Sequence, residues 1–181
     1  AERYEEAEAT LQSGLAIQKI GSDPLMRSEF YTLFGDIAFR QNRTEEAFAY
    51  YDKALENNPQ NYGALNNYSY YLALLGKNLD KAERMSGEVI KANPDNATYL
   101  DTYAWVYFKQ GRYSLARLYL KKALDLSKEA SAEMYEHYGD VLAVTGNESE
   151  AVGWWKKAVD AGGDSEILHR KIAEKRYIGN E

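Results

Sequence analysis

The feature that most constrains this chain is a period. Ala47, Ala82, Ala116 and Ala151 stand 35, 34 and 35 residues apart, and the same grammar returns around each of them. A turn is followed by an acidic or polar start, then the alanine, then a large residue four positions on and a small one seven on. The four copies read NRTEEAFAYYDKAL, KNLDKAERMSGEVI, GRYSLARLYLKKAL and GNESEAVGWWKKAV. Offsets of four and seven fall on one face of an α-helix. Self-similarity at such a period marks a repeat architecture, in which each unit buries its apolar face against its neighbours.

Upstream of each alanine lies a second amphipathic segment. Its members are Tyr31, Phe34, Gly35 and Ala38; Leu65, Tyr68, Ser69 and Leu72; Leu100, Tyr103, Ala104 and Tyr107; and Tyr135, Tyr138, Gly139 and Leu142. The small residue in each set marks where a facing helix must come close, because a larger side chain would hold two backbones apart. Two helices per period follow. Helix formers dominate, only three prolines occur, and no stretch alternates apolar and polar for the length of a strand. The expected fold class is all-α, an α-α superhelix of helix-turn-helix repeats.

These residues resemble the tetratricopeptide repeat, whose pattern of about 34 residues runs W-x2-L-G-x2-Y, then A-x3-F, then a small residue and proline. Residues 28–61 fit best, with Phe34-Gly35, Ala47, Tyr51, Ala54 and Pro59 in register. Residues 62–96 keep Ala82 and Pro94 with one extra residue near Asn78, and residues 97–130 and 132–165 complete four repeats. The style of the middle repeats looks like that of bacterial members of the family, including ones associated with the cell envelope. The resemblance covers nearly all of residues 1–181 and implies a single solenoid. It also implies that the first helix of each pair lines a concave binding surface.

The ends depart from the pattern. RYEEAEATLQSGL matches the second half of a repeat, with Ala7, Leu11 and Gly14 at the expected spacing, so residues 1–20 are a half repeat or capping helix. KIGSDPLM carries about six extra residues relative to the repeat length, which predicts a longer loop with Pro24 near the next helix start. SEILHRKIAEKRYI, with Ile167, Lys171, Ile172 and Lys175 spaced as a half-polar helix, predicts a C-terminal cap over 165–178. In KNLDKAERMSGEVI the large packing residue is Ser86, followed by Gly87, so this helix is expected to be the softest point of the array.

Composition removes whole classes of function. Lys and Arg number 22 against 28 Asp and Glu, a formal net charge of −6 with no basic cluster, so a nucleic-acid partner is not expected. The absence of cysteine rules out disulfides, thiolate metal sites and a cysteine nucleophile. No run approaches the roughly 18–20 apolar residues of a membrane span. The first residues, AERYEEAEATL, lack the basic-then-apolar pattern of a signal peptide. Compartment stays open between bacterial cytoplasm and cell envelope or periplasm.

Candidate ligand-facing positions lie one residue, about 100°, from the packing stripe. They are Thr32, Asp36, Phe39 and Arg40; Asn66, Tyr70 and Ala73; Asp101, Trp105, Phe108 and Lys109; and Glu133, Glu136, Asp140 and Ala143. Asn66 and Asn67 add two amides able to pair with both the donor and acceptor sides of an extended backbone. The peptide-binding set is therefore Asp36, Phe39, Arg40, Asn66, Asn67, Tyr70, Asp101, Trp105, Phe108, Lys109, Glu136 and Asp140. Its aromatic and acidic chemistry would suit a ligand with basic and apolar side chains. The basic positions with which some family members grip a C-terminal carboxylate are here mostly Thr, Asp, Gly or Glu. A second use of Phe39, Tyr70 and Phe108 is equally compatible with their spacing, packing against the next repeat or a loop, and it is less expected for Trp105 with its acidic neighbour.

Catalysis and cofactors find little support. The two histidines, His137 and His169, sit on different elements, and no HExxH, nucleophile elbow or glycine-rich phosphate loop occurs. His137 and Asp140 share a helix but lack the further ligands of a closed metal site. Four Asn-x-Ser/Thr triplets, at Asn42, Asn67, Asn96 and Asn147, are what turns rich in Asn and Ser produce by chance. The expected function is a non-enzymatic scaffold that binds a peptide or partner domain, with no cofactor and no metal. The alternative is a structural spacer or self-association segment, joined through the N-terminal half repeat, whose apolar face would accept a further helix.

Overall fold

A computed structural model of the chain describes residues 2–179. Ala1, Asn180 and Glu181, the outermost positions of the expected 1–181 array, lie outside the described residues. Among the described residues the regular elements are all helical. They are α1 (Glu2–Ala16), α2 (Gln18–Gly21), α3 (Pro24–Arg40), α4 (Thr44–Asn57), α5 (Tyr62–Leu74), α6 (Leu79–Ala92), α7 (Ala97–Lys109), α8 (Tyr113–Leu126), α9 (Ala132–Val144), α10 (Glu148–Asp160) and α11 (Glu166–Glu174). By its internal contacts the chain divides into two compact units, Ala1–Leu72 and Ala73–Glu181, the division falling inside α5.

The period reappears in the chemistry of the helix ends. Each first helix of a pair, and α11, opens on a residue whose side-chain oxygen accepts a backbone N–H from inside the first turn. Asp23 accepts from Leu25 at 2.9 Å, Asn61 from Ala64 at 2.9 Å, Asn96 from Tyr99 at 3.1 Å, Ser131 from Met134 at 3.1 Å and Ser165 from Leu168 at 3.1 Å. Such caps satisfy donors that the helix itself leaves orphaned. The second helices α4, α6, α8 and α10 begin without a side-chain cap. They are entered from a reversal through a left-handed residue at Asn42, Gly76, Gly111 or Gly146. In three of these turns the following N–H reaches back at 2.9 Å: Arg43 to the Ala38 carbonyl, Arg112 to Tyr107 and Asn147 to Leu142. This closes the preceding helix with a Schellman bond. The extra residue near Asn78 is absorbed by a second left-handed position, Asn78 itself, with φ 46°.

In the unit Ala1–Leu72, α3 and α4 pack through Gly35 and Tyr51. A Cβ on Gly35 would lie 2.9 Å from Tyr51 Cζ, so only glycine leaves room for the ring. Tyr51, fully buried, meets Tyr68 and Tyr71 with ring centroids 5.3 and 6.0 Å away, and Phe39 stacks on Tyr71 at 3.7 Å. Ser28 donates to the Ala54 carbonyl at 2.8 Å and accepts from Asn61 Nδ2 at 2.9 Å, tying α3 to the start of α5. Gly14 of α1 abuts the Phe30 ring of α3, and Glu8 of α1 pairs with Arg43. Part of the segment expected to be loop is the one-turn helix α2, closed by Gly21 N–H to Ile17 O at 2.8 Å. Pro24 takes the first position of α3, where its missing N–H costs nothing.

In the unit Ala73–Glu181, Gly139 of α9 receives Trp155 of α10 in the same way, a Cβ there falling 2.6 Å from the indole. Ala82, Ala116 and Ala151 are wholly buried, as is Leu120, the large residue of α8. Ser86 of α6 is buried and donates to the Ala82 carbonyl at 2.6 Å, while a cluster of Tyr103, Tyr107 and Tyr119 stands beside Gly87. A cavity of about 630 Å³ opens here, lined by Gly87, Ile90, Tyr103, Tyr119 and the polar residues of α6. The C-terminal helix is shorter than the expected 165–178. It ends at Glu174 because Lys175 turns left-handed, with φ 53°. Lys171, spaced as part of a polar stripe, is instead 3% exposed.

Candidate functional site

The expected site residues on α3 and α5 are engaged with their neighbours. Asp36 accepts hydrogen bonds from the Tyr51 hydroxyl and from Asn67 Nδ2, the latter at 3.1 Å. Burial raises its pKa above the ordinary carboxylate value, against the lowering effect of those two donors and of the nearby Arg40 charge. Phe39 is covered by Tyr71, and Tyr70 is half-buried with its ring 5.7 Å from Tyr71. Arg40 is exposed and, with Asp36, lines a cavity of about 590 Å³ between α1 and α3, together with Arg3, Tyr4, Ala7, Leu33 and Ile37. Asn66 is buried. Its Nδ2 donates to Asn67 Oδ1 at 3.2 Å, while its Oδ1 has no partner among the described residues.

On α7 and α9 the expected residues converge on one face. Trp105 is sandwiched between Phe108, with centroids 4.6 Å apart and planes 5° apart, and His137 at 3.9 Å and 15°. His137 Nδ1 lies 3.0 Å from Asp101 Oδ1, so the histidine is tied to the preceding first helix. Its anticipated partner on its own helix, Asp140, is turned elsewhere. Asp140 Oδ1 accepts from Trp155 Nε1 at 2.9 Å and Oδ2 receives Lys171 Nζ at 2.7 Å. Glu136 Oε1 takes the same ammonium at 2.7 Å. Lys109 stays half-buried, with Nζ 5.9 Å from the Trp105 ring centre. Asp101, Trp105, Phe108 and Asp140 are all more than nine-tenths buried, and among the described residues the Trp105 indole N–H is without a partner.

The electrostatics follow from burial. Desolvation, the largest influence on His137, pulls its pKa down, but the charge and hydrogen bond of Asp101, with Glu133 and Asp140 further off, leave it above the ordinary imidazole value. Asp140 is pushed up to about 6 by burial, which Lys171 only partly offsets. Among the described residues no group of three or more His, Cys, Asp or Glu is placed to hold a metal ion. No helix of the described residues is long and apolar enough to cross a membrane.

Three residues of this face escaped the sequence reading as site members: His137, Lys171 and Tyr177. Tyr177 lies past α11 and sets its ring edge-on to Phe108, with centroids 5.4 Å apart at 72°. Lys171 left a trace, a cation three residues after Leu168 and one before Ile172, on the helix face that Leu168 marks. The pairing of Asp with the large aromatic was also legible, since Gly35-Asp36 with Tyr51 and Gly139-Asp140 with Trp155 occupy matching places in their repeats.

Comparison with known proteins agrees with the period. Models described as tetratricopeptide repeat match residues 75–131 and 102–166, 28–61, and 50–84. The TPR repeat-containing protein MJ1428 of Methanocaldococcus jannaschii is 32% identical over 134 residues, 74% of this chain and 23% of that protein. The chain thus spans less than a quarter of that relative's length. Among solved structures, PilW, a type IV pilus biogenesis factor, superposes with a TM-score of 0.77 at 19% identity, over 96% of this chain and 79% of its own. YrrB, a TPR protein with an unusual peptide-binding site, gives a TM-score of 0.60 at 21% identity, over 91% and 81%. With four period-spaced helix pairs, caps recurring at the same place in each, and repeat models running from residue 28 to 166, the chain belongs to the tetratricopeptide repeat family.

Proposed function

We propose that this chain is a non-catalytic scaffold that holds another polypeptide against the faces of its first helices. One observation carries the reading. The two buried side-chain polar atoms lacking a partner among the described residues, Asn66 Oδ1 and the Trp105 indole N–H, both belong to first helices and to the expected site. Buried polar groups are nearly always hydrogen-bonded, because leaving one unpaired costs about 1–3 kcal/mol. Within its own unit each is the kind of group that a peptide backbone N–H or C=O would satisfy once the covering side chains part. The acidic and aromatic side chains around them favour a ligand with basic and apolar groups. YrrB's peptide-binding site makes the same role reasonable here, although at this identity the likeness extends to the fold. The His137–Asp101 pair serves to hold α7 to α9, with one side chain from each helix 3.0 Å apart.

The test is site-specific photo-crosslinking. A benzophenone amino acid replaces Lys109, beside Trp105, or Leu118, which is 62% exposed on the second helix α8. Cross-links to a partner polypeptide from position 109 and not from 118 are expected. Equal cross-linking, cross-linking from 118 alone, or none from either position overturns the reading.

A second reading, self-association, is favoured by the cavity of about 590 Å³ beside α1, where Leu33 is 47% exposed. There a second copy would lay a helix against Tyr4, Ala7 and Leu33. Sedimentation equilibrium checks it: a concentration-dependent dimer that Leu33→Glu abolishes supports this use, and a monomer at all concentrations removes it.

A further inference from the structure

The face built by α7 and α9 already holds a piece of polypeptide. After Glu174 the chain leaves the helix through Lys175, a non-glycine residue in the left-handed region, a conformation that contacts beyond it must sustain. Those contacts are made by Tyr177. Its half-buried ring stands edge-on to Phe108, and Lys171 Nζ lies 5.4 Å from its centre. Arg176 turns away to nearby Glu174, with Nε 2.9 Å from Oε2, while the Tyr177 ring supplies the aromatic contact. Behind Phe108 is the Trp105 stack, whose N–H has no partner among the described residues. Residues 175–179 carry no regular structure, so lifting them breaks no helix.

We propose that this face is a receptor for a short linear peptide presenting an aromatic side chain, and that the chain's own Tyr177 occupies the place in cis until such a peptide displaces it. The inference rests on the reading of this face as a polypeptide-binding surface and adds the partner's chemistry and its regulation. An edge-on aromatic contact favours another aromatic ring over an aliphatic one. A cis occupant lowers the apparent affinity of any competitor by the fraction of time the place is open. If that fraction is about one tenth, removing the occupant gains about tenfold.

The probe is the tail sequence itself, EKRYIG, labelled with fluorescein and titrated in fluorescence polarisation against full chains. Tyr177→Ala is expected to bind it at least about tenfold more tightly than the wild type. Tyr177→Phe, which keeps the ring, should behave as the wild type, and EKRAIG should bind none of the three. Failure of Tyr177→Ala to bind EKRYIG, equal binding by Tyr177→Ala and wild type, or equal binding of EKRAIG overturns the proposal. Running the position-109 cross-linking in wild type and Tyr177→Ala separates the two levels. Undiminished, equal cross-linking in both refutes the cis occupant and leaves the binding face standing, whereas absence in both refutes the face itself and this inference with it.

Discussion

Lys171 of α11 places its ammonium 2.7 Å from Asp140 Oδ2 on α9, and both side chains are almost wholly buried. A buried ion pair contributes little over an apolar pair of the same shape, yet removing one partner leaves the other buried without its counter-charge, held as a desolvated ion or forced into its neutral form. Lys171→Met is therefore expected to destabilise the protein by about 3–5 kcal/mol in urea unfolding. The double variant Lys171→Met, Asp140→Asn should recover part of that loss. Additive single and double effects would show that the two groups do not sense one another.

The same carboxyl sets a pH dependence. Asp140 titrates at about 6 in the folded protein, well above the ordinary carboxylate value of an unfolded chain. Between about pH 4 and pH 6 the folded state holds a proton that the unfolded state has released, so stability falls as pH rises through this interval. The fall is roughly 2–3 kcal/mol for a shift of about two units. Denaturant unfolding across that range should show the slope, and Asp140→Asn should flatten it.

His137 gives a second titration, linked to that of Asp140 because each charge acts on the other. Its pKa is raised, so its contribution to stability is complete below about pH 6.5 and is lost as pH rises through the folded value. In Asp101→Asn the attraction goes and burial, the largest influence, prevails. The imidazole should then titrate below about 6.5, as followed by proton–carbon NMR of the ring. An unmoved titration would mean that Asp101 is not what holds the proton.

Two glycine substitutions should act in opposite directions. Gly139→Ala drives a methyl to 2.6 Å from Trp155 and 3.2 Å from the Ala151 carbonyl, so a destabilisation of about 1–3 kcal/mol is expected. Gly87→Ala meets only the Tyr103 ring and hydroxyl at 3.8–3.9 Å, an ordinary contact. Removing a helical glycine should then stabilise by about 0.5–1 kcal/mol. Thermal unfolding of both variants checks the pair, and a loss at Gly87 would contradict the weak point expected in α6.

Asn61 and Asn96 both cap first helices, but only Asn61 also donates to Ser28, at 2.9 Å, and to Thr32, at 3.2 Å. Asn96→Ala should cost about 1 kcal/mol and Asn61→Ala about 2–3 kcal/mol, because the latter also strips a buried hydroxyl of its donor. Equal losses would reduce Asn61 to a cap.

By itself the sequence determined the repeat, because its signal is carried by short-range spacing. Alanines one period apart, a large residue four positions on, and small residues at Gly35 and Gly139 each report on one helix face and the helix it must approach. The left-handed turns were likewise readable, since Gly and Asn are the residues that adopt that conformation. Tertiary structure decided what each side chain on the first helices does. Asp36 and Asp140 stand at matching positions and both accept from an aromatic of the following helix, yet only Asp140 meets a lysine, supplied by α11. Trp105 became a buried stacking partner because His137, about one repeat later, lies against its face. The course of the tail past Lys175 rests on one left-handed residue and one ring contact. Such contacts join residues tens of positions apart, and no local periodicity encodes them, so partners across the face had to come from the folded molecule.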